Sequence, residues 1–166
     1  MLPNEEWAAY LLTRRARYRV LTMALENTYE LLVRGLPVPC KRCGRDGMAI
    51  ALIHPDFEEP DYLAAVTADG ELVLAFAKEL LVQARHTTLA GTIKYRRDPH
   101  VGGRHLSCGC ARCDGLFDPD DLALAVAEVL KRGEVDSLPV LARVPRTVGE
   151  WALLAELSKT SLFNGY

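Results

Sequence analysis

The chain contains no apolar run approaching the roughly 20 residues that a membrane-crossing helix needs, and no low-complexity tract or internal repeat. That excludes a helical membrane span and, with 49% hydrophobic and 25% charged residues, argues against a disordered chain. Recognised catalytic spacings are missing as well. There is no nucleophile elbow, phosphate-binding glycine loop or His-Glu-x-x-His pattern. Aromatic residues make up only 7%, and there are four histidines. Cysteine is scarce too: five residues, an odd number that fits a complete disulfide framework poorly. The first residues, Met1-Leu2-Pro3-Asn4-Glu5-Glu6-Trp7, are acidic rather than basic, and the expected location is the cytoplasm. In a reducing compartment paired cysteines more often hold metal than form disulfides.

Four of the five cysteines form two short pairs, Cys40-Lys41-Arg42-Cys43 and Cys110-Ala111-Arg112-Cys113. Two residues between cysteines let a tight turn aim both sulfurs at one ion, and two such knuckles supply the four thiolates that tetrahedral Zn²⁺ prefers. Each pair is followed by residues suited to the turn, Gly44 and Asp114-Gly115. Cys40, Cys43, Cys110 and Cys113 are therefore the expected ligands of one Zn²⁺. Cys108 is expected as a buried neighbour, and His105 is the alternative ligand that would replace a thiolate. A closed four-thiolate site has no open position for substrate and so implies structure rather than catalysis.

The sequence reads as an α+β protein in which a small antiparallel zinc-ribbon sheet carries an inserted helix between flanking helices. Asn4 caps a long amphipathic N-terminal helix through Trp7, Leu11, Tyr18, Leu21, Leu25 and Leu32 to Gly35. Pro37 and Pro39 force an extended approach to the first knuckle, and Met48–Ile53 alternates as a strand. A helix is expected from Glu71 to about Ala84, and a hairpin pairs Thr92–Arg97 with Arg104–Ser107. Asp118-Pro119-Asp120-Asp121 opens a helix to about Lys131 that stops at Gly133. Leu138–Val144 reads as a strand, and Thr147 caps a last helix through Trp151, Leu154 and Leu157. The expected organisation is an N-terminal helix over 1–35 that packs on the core or a partner, a zinc-ribbon domain with its helical insertion over 36–132, and a C-terminal strand and helix over 133–166.

Several of these residues also carry a resemblance. Cys40-Lys41-Arg42-Cys43-Gly44 with the strand after it, Ile93-Lys94-Tyr95, and His105-Leu106-Ser107-Cys108-Gly109-Cys110-Ala111-Arg112-Cys113-Asp114-Gly115 resemble a largely uncharacterised family of bacterial zinc-ribbon proteins. The family's first knuckle is typically Cys-Trp-Arg/Lys-Cys-Gly and its second Tyr-x-x-Asn-x-Cys-Pro-His-Cys-Gly. The resemblance covers the middle half of the chain. It implies ligands at Cys40, Cys43, Cys110 and Cys113 and sets Cys108 where the family has asparagine. Lys41, His105 and Ala111-Arg112 depart from the family pattern.

Charge is unevenly distributed although the net charge is only −2. Lys41, Arg42, Arg45, Lys94, Arg96, Arg97, Arg104 and Arg112 gather around the two knuckles and form the expected anion or nucleic-acid face, with Tyr95 or His105 available to stack on an unpaired base. Arg34 is expected beside the first knuckle. A zinc with four thiolates has a formal charge near −2, so cations beside it are stabilising even when nothing else binds. The expected function is a non-catalytic adaptor or regulatory module that binds a protein partner or nucleic acid through this face, or dimerises through the N-terminal helix. The alternative is a metal-dependent hydrolase or nuclease with a separate site near His100 and His105, for which His54, Asp56, His86 and Asp98 are the further candidates.

Overall fold

The computed structural model describes residues 28–56, 65–98 and 102–162. Its two antiparallel sheets and their helices make an α+β fold. Strands β1 (Thr28–Pro39), β2 (Asp46–Pro55), β3 (Val66–Thr67) and β6 (Val140–Thr147) form a four-stranded sheet in the order β3-β2-β1-β6. Strands β4 (Ile93–Asp98) and β5 (Gly103–Cys108) form a separate two-stranded hairpin. The helices are α1 (Glu71–Gln83), the single turn α2 (Thr87–Ala90), α3 (Pro119–Arg132) and α4 (Val148–Leu162), with a 3₁₀ turn at Val135–Ser137 before β6.

The largest departure from the sequence reading lies at β1. The expected N-terminal helix extends to Gly35, yet the chain is a strand from Thr28 onward; the rest of that helix lies outside the described residues. Residues Leu31 to Leu36 are all buried, because β1 is flanked by β2 and β6 and covered on both faces. A strand buried on both faces loses the alternation of apolar and polar residues, and a short apolar run of that kind cannot be told from a helix by period alone. A register shift at Arg34/Gly35 adds an irregularity to the pattern. Gly35 lets the side chains of Met48 and Leu141 close over the strand, since a Cβ would meet Met48 Sδ at 2.6 Å and Leu141 Cδ1 at 2.7 Å and push them aside.

The two faces of the sheet have separate cores. On one, Leu31, Val33 and Ile53 pack with Val73, Leu74, Ala77, Leu80 and Leu81 of α1, with Ile93 and Leu106 of the hairpin, and with Leu154 of α4. On the other, Leu36, Ala51 and Leu52 pack with Val126 of α3 and with Val135 and Leu138. Glu71, in the first turn of α1, accepts the Leu106 N–H at 3.0 Å, and Lys78 donates to the Ile93 carbonyl at 2.8 Å, so α1 is tied to both strands of the hairpin. Helix α3 carries the expected cap. Asp118 accepts from the Asp120 and Asp121 N–H groups, Pro119 opens the helix and Gly133 closes it in the left-handed conformation. Thr147 and Glu150 likewise exchange hydrogen bonds at the start of α4.

Candidate metal centre

Both cysteine pairs sit in six-residue loops of the same construction. The first loop joins β1 to β2, closed by the pair Pro39 and Asp46, and the second is closed by the bridge between Gly109 and Leu116. In each, the first cysteine's N–H donates to the carbonyl five residues on, Cys40 to Arg45 and Cys110 to Gly115, both at 2.8 Å. In each, its carbonyl accepts the N–H four residues on, from Gly44 at 2.7 Å and Asp114 at 3.0 Å. That fourth residue takes positive φ, +68° at Gly44 and +59° at Asp114. Glycine adopts this conformation freely and Asp is among the few other residues that tolerate it, so Asp114 and not Gly115 is the counterpart of Gly44. Gly115 answers a different need. A Cβ there would lie 3.0 Å from Arg42 Cβ and 3.3 Å from Cys113 Sγ, where the two loops meet.

These loops bring the Sγ atoms of Cys40, Cys43, Cys110 and Cys113 within 4.8 Å of one another. Cys40 and Cys113 are 3.5 Å apart, and Cys43 and Cys110 are 3.7 Å apart, far beyond a disulfide bond. Four sulfurs about 2.3 Å from a tetrahedral ion are about 3.8 Å from each other, close to the separations of these two pairs. Cys110 and Cys113 hold their protons unequally. The Cys113 and Arg112 N–H groups draw the Cys110 thiol down to about 6. The Gly115 N–H pulls Cys113 the same way, but burial and the neighbouring sulfurs outweigh it and push that thiol up to about 11. A metal ion binds the thiolate forms, so its binding releases the protons that the thiols hold.

Cys108 stands outside the group, 4% exposed, its thiol pushed up by burial. His105 is outside it as well, with Nδ1 3.7 Å from the Glu71 carboxylate. His100 lies outside the described residues. His54 is buried against Arg34, Asp56 pairs with Arg143, and His86 is exposed at the start of α2. Among the described residues, the four cysteines are the one group of metal-ligating side chains with mutual distances suited to an ion.

The expected basic face is sorted by its partners. Arg34 is 7% exposed within the sheet, donating to Asp136 at 2.8 Å, the Leu138 carbonyl at 2.9 Å and His54 Nε2 at 3.1 Å, so it does not face the knuckle. Arg96 is likewise buried. It lies over Gly109, donates to the Ser107 carbonyl at 2.6 Å and pairs with Asp114 at 2.7 Å. Lys94 joins the same carboxylate at 2.8 Å, and the two cations hold Asp114 below the usual carboxylate range. Lys41 bridges to Asp121 and Asp118 at the head of α3. Arg45, Arg97, Arg104 and Arg112 are exposed, as is Arg42, which donates to the Cys113 carbonyl at 3.2 Å.

The sequence reading missed Asp114 as the brace of the second knuckle and Asp118 and Asp121 as partners of Lys41. The signal available for Asp114 was its place four residues after Cys110, matching Gly44 after Cys40. Comparisons with protein-family models, curated proteins and solved structures give no match. No described helix is long and apolar enough to cross a membrane.

Proposed function

We propose that this chain is a non-catalytic adaptor or regulatory module. A structural Zn²⁺ bound by Cys40, Cys43, Cys110 and Cys113 fixes the knuckle face against the sheet and presents it to a protein or nucleic-acid partner. The observation that carries the reading is the convergence of four sulfurs from two loops of matched hydrogen bonding. A closed thiolate set leaves no position for substrate. Its role would be to hold the β1–β2 loop against the loop after β5, which belong to different sheets. Arg42 and Arg112, with Lys41, lie on the two loops and offset the negative charge of a four-thiolate zinc.

Metal analysis of the purified full chain tests this. About one zinc per chain is expected, lost in Cys110→Ser and retained in Cys108→Ser. Equal loss in both variants would contradict the ligand set.

A further inference from the structure

Between the first knuckle and the β4–β5 hairpin runs an open groove of about 620 Å³, lined by Lys41, Arg42, Tyr95, Arg97, Asp114 and Gly115 among others. Its cations differ in availability. Lys41 faces two aspartates of α3, Arg96 is buried, and Asp114 is neutralised from within the protein by Lys94 and Arg96. Arg42 and Arg97 remain exposed, and Tyr95 is 55% exposed, beside them on β4. Arg97 stands directly opposite Arg104 on β5, so their side chains leave the same face of the hairpin. Like charges facing one another across an antiparallel pair are destabilising. An anion seated between them relieves that repulsion, and Tyr95, two residues before Arg97 on β4 and paired with Leu106, leaves the same face of the hairpin.

We infer that this groove binds single-stranded nucleic acid, with Arg42 and Arg97 in its lining taking backbone phosphates and Tyr95 stacking on an unpaired base. Arg104 lies beside it on the hairpin, where it donates to the Tyr95 carbonyl at 3.4 Å, and adds a third cation. An exposed ring among cations suits a base beside its phosphate, and a paired base does not offer its face. The inference deepens the adaptor reading and rests on it, because the metal would hold the groove's knuckle wall against its hairpin wall.

The test is fluorescence anisotropy of the full chain, with zinc content measured on the same preparation. The probes are a labelled oligothymidylate of about twelve nucleotides, a duplex of equal length and a labelled polyglutamate. The expected result is binding to the single strand ahead of the duplex and polyglutamate. Tyr95→Ala should weaken it about tenfold, within the range of one lost stacking contact, while Tyr95→Phe should bind like the parent. Arg42→Gln, Arg97→Gln and Arg104→Gln combined should lower the slope of log affinity against log salt by about 2, at about 0.7 per phosphate contact. These side chains are exposed, so retained zinc verifies that the variants fold. The inference is overturned by a zinc-loaded chain that does not bind at low salt, by binding indifferent to Tyr95→Ala, or by preference for duplex or polyglutamate. A zinc-free chain that binds with the same Tyr95 dependence would sustain the groove and refute the metal instead.

Discussion

Arg34 occupies the middle of the central strand, where an unpaired charge would be costly, and three acceptors satisfy its guanidinium. His54 is one of them. Its Nδ1–H donates to the Pro55 carbonyl at 2.8 Å, which leaves Nε2 to accept from Arg34 and keeps the ring neutral. Burial lowers its pKa and the adjoining Arg34 charge adds to that, while the hydrogen bond to the Pro55 carbonyl and the charges of Asp136 and Asp56 oppose it. As pH falls below 6.5 the unfolded chain takes up a proton that the folded chain refuses. Stability from this site is therefore complete above that pH and is lost on acidification through the window down to the lower folded value. Urea unfolding across this range should show the slope, and His54→Gln should flatten it. Asp136→Ala removes one of the guanidinium's partners and should cost about 1–3 kcal/mol in the same assay. At Asp114 two effects separate by substitution. Asp114→Gly keeps the left-handed turn and loses only the ion pairs, whereas Asp114→Ala adds about 1–2 kcal/mol of backbone strain, so the alanine variant should melt at the lower temperature.

Among the elements, legibility followed the strength of local signals. Helix α3 was readable to within a residue because its cap, proline and terminal glycine are all local features, and Asp118→Ala should cost about 1 kcal/mol by thermal melting. The hairpin was readable from its β-branched and aromatic residues, and the α1 helix from the apolar run after Asp69-Gly70. Strand β1 was not, since burial of every residue from Leu31 to Leu36 is a property of the whole sheet and leaves no period in the sequence. The same holds for Arg34 and Arg96. Chain position put both among the knuckle cations; Arg96 does pair with Asp114 of the second knuckle, but buried, whereas Arg34 pairs with Asp136 away from either knuckle. The four cysteines were legible because their chemistry depends on spacing within each loop, and the structure brings the two loops together.

At the scale of the molecule, the cysteine cluster joins two sheets that share no strand pairing among the described residues, β1–β2 of the larger and the loop after β5 of the smaller. Both already pack on α1 through a substantial apolar core, so metal removal should loosen the connection rather than unfold the chain. A chelator should leave the far-ultraviolet circular dichroism near its starting value. It should also raise amide exchange at the two knuckles and β5 ahead of β1 and β2, and lower Tm by about 2–4 °C for each kcal/mol lost. The most direct test of the account is X-ray absorption at the zinc edge on the full chain. Four sulfur scatterers at about 2.3 Å and no nitrogen or oxygen shell are expected. A nitrogen shell, or a chain that retains no zinc, would contradict the four-cysteine centre.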